Sequence, residues 1–103
     1  MEKAPLPLSG IQVLEIGTSV AAPYAGWVLA ALGASVTKVE RPQRGDDIRY
    51  WGPPFWRETS TMFHTFNRGK RSLEVDLKNA EEVQRLRDWI TSKADVVLQN
   101  LRP

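Results

Sequence analysis

The stretch LGASVTKVERP, residues 32–42, predicts a helix end, a buried strand and the start of a basic loop. Gly33 can take the left-handed conformation that closes a helix. The strand that follows runs directly into Arg41, and Arg44 lies further along the same loop. Ligands of an open α/β sheet bind beyond the carboxyl ends of its strands. A guanidinium group can donate two parallel hydrogen bonds to the oxygens of a phosphate. The stretch therefore predicts a phosphate-bearing ligand at this strand end.

The sequence around this stretch alternates between strand and helix patterns. Residues 11–16 form a near-continuous apolar run, which is typical of a strand covered on both faces. Asn79 followed by Glu82 predicts a helix start with a capping box. The predicted strands are residues 11–16, 35–40, 72–77 and 95–98; the predicted helices are residues 23–32, residues 60–67 and one that begins after Asn79; residues 41–59 are predicted to be loop. This order predicts the α/β class, with a Rossmann-like parallel sheet and flanking helices.

The composition is that of an ordinary globular chain, and it argues against several classes of protein. The chain has 103 residues and a net charge of +2, which is too small for nucleic-acid binding through bulk electrostatics. It contains no cysteine, which fits a reducing compartment, and no zinc-type ligand spacing. The longest apolar stretch, residues 21–34, is interrupted by Pro23 and Gly26, whereas a membrane span needs about 20 residues. We therefore expect no nucleic acid, membrane or metal as a partner.

The last residues indicate a fragment of a longer protein. Residues 95–100 have the pattern of a strand that reaches its carboxyl end, and only Leu101, Arg102 and Pro103 follow. A parallel strand without its following helix leaves one face of the sheet bare. We therefore expect residues 1–103 to be one N-terminal segment of a larger domain.

Few side chains have the spacing that catalysis requires. The first strand-to-helix turn, residues 17–19, lacks the G-x-G-x-x-G pattern, which disfavours a nicotinamide site. A plain turn is the favoured interpretation, although exposed amides at a helix start can receive an anion. His64 is the single histidine and has no matched partner, so we expect it on a helix surface or in the core. No residue is a convincing nucleophile.

Positive charge is concentrated in three places. Arg41 is better placed than Arg44 because it adjoins the strand end, and we expect Arg44 in a solvated loop. Residues 67–71 precede the third predicted strand, so we expect them to form a solvated turn at the opposite end of the sheet. Lys78 closes that strand at the carboxyl edge, near the predicted position of Arg41. The aromatic side chains of residues 50–66 are expected to pack against the domain or a partner.

Seven blocks of sequence, in order and with compatible spacing, resemble the N-terminal part of the class III CoA-transferases, also called the CaiB/BaiF family. This family includes formyl-CoA transferase, carnitine CoA-transferase and α-methylacyl-CoA racemase. Any one block is weak evidence, but together they are highly specific. The blocks are GIQVLE (residues 10–15), APYA (22–25), LGAxVxKVE (32–40), GD (45–46), NRxKRSL (67–73), DLK (76–78) and ADVVxxNxRP (94–103).

The resemblance implies part of the large domain of an enzyme whose two subunits interlace like chain links. In the transferases of this family an aspartate takes the acyl group from CoA as a mixed anhydride. The CoA thiolate then attacks to give an enzyme-bound thioester, and the acceptor carboxylic acid completes the exchange. By resemblance that aspartate lies beyond Pro103, so this segment holds no catalytic residue, and we expect it to be inactive in isolation. We expect the whole enzyme to be a cytoplasmic homodimer, or a mitochondrial or peroxisomal one in a eukaryote.

The resemblance also implies which residues contact the substrate, coenzyme A or its acyl thioester, with no metal involved. All of them fall at or near the carboxyl edge of the predicted sheet. They are Val20 and Ala21 in the first turn, Arg41 at the nucleotide phosphate, Val75 and Lys78 at the adenosine part, and Gln99, Asn100 and Leu101 at the end of the fourth strand.

Two other functions stay open. Racemases of the same family resemble this sequence but have a much shorter link between the loop after the second strand and the Lys-Arg-Ser motif. This chain keeps residues 50–55 and the predicted helix after them, as transferases do, so we favour a transferase over a racemase or epimerase. The alternative from another class is a non-catalytic fragment that serves as a binding or assembly module.

Overall fold

The computed structural model describes residues 4–102, which form alternating strands and helices around a parallel sheet. A short antiparallel hairpin interrupts the long loop after the second strand. The elements are β1 (Gln12–Ile16), α1 (Ala21–Ala31), β2 (Ser35–Glu40), a 3-10 helix (Asp47–Tyr50), β3 (Phe55–Trp56), β4 (Thr59–Ser60), α2 (Thr61–Phe66), β5 (Arg71–Glu74), α3 (Ala80–Lys93) and β6 (Val96–Gln99).

The main sheet is parallel throughout and has the strand order β5-β2-β1-β6. β1 is an interior strand, where Leu14 pairs with Thr37 of β2 on one side and Val97 of β6 on the other. The chain moves outward from β1 to β5 and then crosses back to the far side of β1. The predicted α/β class, with a parallel sheet and flanking helices, is confirmed.

Successive residues of the interior strands face two separate cores, because side chains alternate across a strand. On one face Val13 and Val36 pack beneath α1. On the other face Leu14 and Val39 pack against Leu86 of α3. β1 is therefore covered on both faces, as its apolar run predicted.

The third predicted strand ends earlier than its apolar pattern indicated. β5 stops at Glu74. Asp76 then bends the chain, because its carbonyl oxygen accepts from the Asn79 N–H (3.0 Å) and its carboxylate accepts from the Lys78 N–H (2.9 Å). The prediction of a strand as far as residue 77 is wrong, because this turn already leads into α3.

The helix ends follow most of their sequence signals. Gly33 has a φ of 107° just after α1, as predicted. Asn79 caps α3 by accepting from the N–H groups of Glu81 (3.0 Å) and Glu82 (3.1 Å). The Glu82 carboxylate accepts from the Asp76 N–H (3.3 Å), because the Asn79 N–H already donates to the Asp76 carbonyl oxygen. Only half of the predicted capping box is therefore formed.

The loop predicted over residues 41–59 contains short elements that its proline and glycine residues concealed. The 3-10 helix begins where the Asp46 carboxylate accepts from the Ile48 N–H (3.1 Å). The hairpin pairs Phe55 with Ser60. His64 lies on α2, half-buried, with its Nε2 atom 3.1 Å from the Trp56 carbonyl oxygen, so it has a structural contact on the helix surface.

Helix α1 approaches the sheet closely at one glycine. Gly26 is buried, and a Cβ atom at this position would overlap the Glu15 carboxylate of β1. A glycine here therefore lets the helix cross directly over a charged strand end. α1 has 11 residues, and no helix within residues 4–102 is long and apolar enough to cross a membrane.

We expect Gly26→Ala to destabilise the protein, although alanine is ordinarily the better helix former by about 1 kcal/mol. The added methyl group would crowd the buried Glu15 carboxylate, and overpacking of this kind costs about 1–3 kcal/mol. Urea unfolding followed by circular dichroism measures the change. The control Ala31→Gly, at an exposed position of the same helix, should lose no more than about 1 kcal/mol. A Gly26→Ala variant more stable than the parent would contradict this close contact.

Candidate functional site

A cavity of about 510 Å³ opens at the carboxyl edge of the sheet, beside the ends of β2 and β5. Its lining combines apolar walls with two cations and with two carboxylates, Glu40 and Asp76, that already accept hydrogen bonds from neighbouring groups. The apolar walls and the two cations suit a ligand that has both an apolar ring and phosphate groups. The apolar surface comes from Ile16, Val39, Val75 and Leu77, and the positive charge comes from Arg41 and Lys78. Leu101, near the end of the chain, also lines the cavity. The structure thus brings Arg41 and Lys78 to one cavity, as the predicted strand order required.

Arg41 is held in place by the loop that follows it. Its Nε and Nη2 atoms donate to the Gly45 carbonyl oxygen at 3.3 and 3.1 Å, and Nη2 lies 2.6 Å from Asp47 Oδ1. The Arg41 and Asp47 side chains are 54% and 47% exposed, and exposed ion pairs contribute under about 1 kcal/mol. The contacts therefore matter more for orientation than for stability. Hydrogen bonds from Arg41 and then Arg44 hold the pKa of Asp47 below its ordinary value.

Arg44 has a more defined position than the solvated loop predicted for it. Its side chain is 59% exposed, but its Nε atom lies 3.3 Å from Asp47 Oδ1. Its guanidinium carbon lies 4.6 Å from the centre of the Tyr50 ring. Arg44 lines a second cavity, of about 370 Å³, together with three other arginines and three glutamates. Within residues 4–102, no aliphatic side chain lines this second cavity, so it suits a ligand with an apolar ring less than the first cavity does.

Val20 and Ala21, both predicted to contact the ligand, lie exposed at the start of α1. The helix begins after Val20 without a side-chain cap. Ser19 before it has a φ of 67°, a left-handed conformation that costs a residue other than glycine roughly 1–2 kcal/mol. The Ser19 N–H donates to both carboxylate oxygens of Asp46, at 3.0 and 3.2 Å. The turn is therefore held by a side chain from the loop after β2.

Gln99 and Asn100, also predicted contacts, make local bonds at the end of β6. The Asn100 amide bonds to both backbone groups of Thr18, with its Oδ1 atom accepting from N–H and its Nδ2 atom donating to the carbonyl oxygen, each at 3.0 Å. The Gln99 Oε1 atom accepts from the Leu101 N–H at 2.8 Å. Asn100 thus joins the end of β6 to the first turn. Like Val20 and Ala21, these two residues share the carboxyl edge without lining the larger cavity.

A network of buried charges lies beneath this edge, on the face covered by α1. Lys38 is 2% exposed and lies between two carboxylates, 3.0 Å from Glu15 Oε2 and 2.9 Å from Asp46 Oδ2. The Lys38 ammonium also donates to the Gly17 carbonyl oxygen at 3.2 Å. Glu15 and Asp46 are 0% and 1% exposed. We call Glu15, Lys38, Asp46 and Lys70, all of which have buried side chains, the charge network.

Lys70 corrects the prediction of a solvated turn at residues 67–71. Its side chain is 2% exposed, and its Nζ atom lies 2.6 Å from Glu15 Oε1, although this ion pair lacks good hydrogen-bond geometry. Nζ also donates to the Pro23 carbonyl oxygen and to Asn67 Oδ1, each at 2.8 Å. Burial lowers the pKa of Lys70, and the pairing with Glu15 opposes this shift without cancelling it. Residues 68, 69 and 71 are exposed, as predicted, and the prediction is wrong for Lys70 alone, because its long side chain turns inward.

Glu40 extends the polar contacts towards the long loop. Its carboxylate accepts from the Asp46 N–H at 3.0 Å and from two nitrogen atoms of Arg49 at 2.8 and 2.7 Å. Ser72 Oγ donates to it at 3.1 Å. Burial raises the pKa of Glu40, but the bonds from Arg49, Asp46 and Ser72 outweigh burial and hold it below its ordinary value. Glu40 is therefore a satisfied carboxylate that fixes the loop.

Sequence reasoning missed the charge network, although one signal was present. Along β1 the positions that face α1 hold first Val13 and then Glu15, and along β2 they hold Val36 and then Lys38. The register places Glu15 directly opposite Lys38. A carboxylate and an ammonium at matching positions of two buried strands predict an ion pair, but only once the strand pairing is known.

The residues within 4–102 contain no group of three or more His, Cys, Asp or Glu side chains arranged to hold a metal ion. The fold and the larger cavity define a parallel α/β protein with a ligand cavity at the carboxyl edge of its sheet. Residues 8–103 match the model of CoA-transferase family III. The chain belongs to this family, and the family resemblance noted in the sequence is confirmed.

Curated relatives of the chain are named as CoA-transferases. The chain is 45% identical to succinate–glutarate CoA-transferase of Agrobacterium fabrum, over 93% of this chain and 25% of the relative. It is 41% identical to succinyl-CoA:glutarate CoA-transferase of Mus musculus, over 94% of this chain and 22% of the relative. The chain therefore spans about a quarter of the length of the relatives that it matches.

A solved structure supports the same family. A CaiB/BaiF family protein from Brucella suis superposes with a TM-score of 0.86 at 41% identity, covering 95% of this chain and 26% of that one. The identity is high enough for the likeness to reflect common ancestry as well as a common fold.

We expect Glu15→Gln to lower the free energy of unfolding by about 3–5 kcal/mol, because it leaves two buried ammonium groups without their shared carboxylate. Chemical denaturation at neutral pH measures the loss. Asp47→Asn is the matched control, since it also replaces a paired carboxylate by an amide, but at an exposed site, and it should lose less than about 1 kcal/mol. Equal losses in the two variants would contradict the claim that burial makes the loss of the Glu15 carboxylate more costly than the loss of an exposed one.

Proposed function

We propose that these residues form the CoA-binding part of an enzyme that transfers CoA from an acyl-CoA to a carboxylic acid. The observation that carries the proposal is the larger edge cavity, in which Arg41, directly after β2, and Lys78, in the turn after β5, lie beside apolar walls. Coenzyme A presents phosphate groups and an adenine ring at its nucleotide end. A guanidinium binds phosphate oxygens in pairs, and a lysine supplies a point charge.

The strand order supports a Rossmann-like arrangement. With β1, β2, β5 and β6 counted as the first to fourth strands, the order is 3-2-1-4, which is how a dinucleotide-binding sheet begins. In such a sheet the ligand crosses the edge where the strand order reverses, here between β1 and β6. Val20, Ala21 and Asn100 lie at that reversal, so we keep them as contacts for the part of CoA that extends away from the nucleotide.

We assign the acyl-transfer chemistry to residues outside the part of the chain described here. The carboxylates buried beneath the edge, Glu15, Asp46 and Glu40, all lie against cationic groups or hydrogen-bond donors, so none is available as a nucleophile. In the proposed reaction an aspartate attacks the acyl-CoA thioester and releases the CoA thiolate. The thiolate then attacks the enzyme's own carbonyl in the anhydride and releases the first acid. The acceptor carboxylate next attacks the resulting enzyme thioester, which forms a second mixed anhydride and releases the thiolate. The thiolate finally attacks the acceptor's carbonyl carbon, which gives the new acyl-CoA and frees the aspartate.

The names of the relatives suggest the substrate class. Succinate or succinyl-CoA occurs in the names of the Agrobacterium and mouse enzymes and of a Chloroflexus aurantiacus enzyme that is 37% identical, succinyl-CoA–D-citramalate CoA-transferase. We therefore propose succinyl-CoA as donor and a dicarboxylic acid as acceptor. An interlaced homodimer in the cytoplasm stays part of this proposal.

We expect Arg41→Ala, made in the complete gene product, to weaken CoA binding by about 1.5–3 kcal/mol, or roughly 10- to 100-fold in Kd. The variant loses a charge-assisted fork on phosphate, whereas Arg41→Lys keeps the charge and should lose less. Isothermal titration with CoA measures both variants. Arg87→Ala, an exposed arginine on α3, is the control and should leave Kd unchanged. An unchanged Kd in Arg41→Ala would remove the role given to this residue.

We expect the complete gene product to form glutaryl-CoA from succinyl-CoA and glutarate, and to form none when the acceptor acid is omitted. Liquid chromatography of the thioesters measures the exchange. The competing racemase function predicts a different result, namely deuterium uptake at the α-carbon of a branched acyl-CoA in heavy water with no acceptor present. That result without any CoA exchange would contradict the proposed transferase.

A further inference from the structure

The Asp46 side chain connects two segments that the proposed function assigns to CoA. Its oxygens accept from the Ser19 N–H at 3.0 and 3.2 Å, directly before the exposed residues Val20 and Ala21. Ser19 has a φ of 67°, so a fixed acceptor is needed to hold this left-handed residue at the start of α1. Asp46 itself belongs to the loop that begins with Arg41.

Asp46 is as firmly fixed as the turn that it holds. It is 1% exposed, its Oδ2 atom lies 2.9 Å from Lys38 Nζ, and its Oδ1 atom accepts from the Ile48 N–H at 3.1 Å. Its own N–H donates to Glu40 at 3.0 Å. Both carboxylate oxygens therefore face donors, and only an ionised carboxylate satisfies all of them. An asparagine would turn its NH₂ group towards one of these donors.

The same loop positions the cation of the cavity. The Arg41 guanidinium donates to the carbonyl oxygen of Gly45, the residue directly before Asp46. A displacement of Asp46 would therefore move the support of Arg41 and release the Ser19 turn together. We propose, on the basis of the proposed function, that Asp46 is a positioning residue that holds the first turn and the Arg41 loop at a fixed separation, so that CoA binds to both the turn and the loop.

The test compares Asp46→Ala with the unmodified complete gene product in two measurements. The first is amide hydrogen exchange over residues 19–21 without ligand, where we expect exchange at least tenfold faster in the variant. The second is the Kd of CoA and of adenosine 3′,5′-bisphosphate, which represents the nucleotide end alone. We expect the variant to weaken CoA binding roughly tenfold and the bisphosphate less, so that the advantage of CoA over the bisphosphate shrinks.

Asp46→Asn provides a second variant in case Asp46→Ala does not fold, and it should shift both measurements in the same direction. Ser60→Ala is the matched control. Ser60 is another buried capping side chain, which accepts from the Met62 N–H at 3.2 Å and donates to the Trp51 carbonyl oxygen at 2.6 Å, but it bonds neither to Ser19 nor to residues 41–46. It should leave the exchange of residues 19–21 and the ratio of the two Kd values unchanged.

The outcomes separate this inference from the function on which it rests. Unchanged exchange and an unchanged Kd ratio in a folded Asp46 variant would overturn the positioning role, and so would equal changes in Ser60→Ala. A failure of the unmodified protein to bind CoA would contradict the proposed function. In that case the exchange of residues 19–21 still decides whether Asp46 fixes the turn.

Discussion

The contact between Lys38 and Glu15, across the two interior strands, is the constraint on which the carboxyl edge depends. Removing a carboxylate and an ammonium from water costs several kcal/mol per ion, and their attraction compensates only when further polar groups surround them. Here Asp46, Lys70 and the Gly17 carbonyl oxygen complete that surrounding. The pair therefore requires the turn after β1, the loop after β2 and the turn before β5 to converge on one point.

This convergence divides the sheet along the length of its strands. On the face beneath α1, the amino half is apolar, with Val13 and Val36, and the carboxyl half is ionic, with Glu15 and Lys38. The apolar half stabilises the fold without selecting one loop geometry. The ionic half tolerates few arrangements, because each buried charge needs its partner within hydrogen-bond distance. The loops that form the edge are thus held by ion pairs and hydrogen bonds more than by apolar contacts.

The sequence predicted the fold well where the signal is local. The strand Ser35–Glu40, the Asn79 cap and the glycine after α1 need only neighbouring residues, and all are confirmed. The predictions failed where a contact joins distant parts of the chain. Lys70 looked like a solvated lysine because its partner, Glu15, lies on another strand, and the hairpin after residue 54 has too few residues to show a period. The cavity was predictable from the strand order, whereas the charge network beneath it could be predicted only from the residue pairing between β1 and β2.

The residues that the family resemblance assigned to CoA divide into two physical groups. The cavity is lined directly by Arg41, Val75, Lys78 and Leu101, and the other four residues, Val20, Ala21, Gln99 and Asn100, lie along the same edge outside it. Asn100 instead bonds to both backbone groups of Thr18, and Asp46, which the resemblance did not assign, bonds to the next residue, Ser19. The first turn is therefore held from both sides of β1, by the end of β6 and by the loop after β2. Because this turn lies at the reversal of the strand order, its two supports give it a defined position before any ligand arrives, which reduces the ordering that binding would otherwise require.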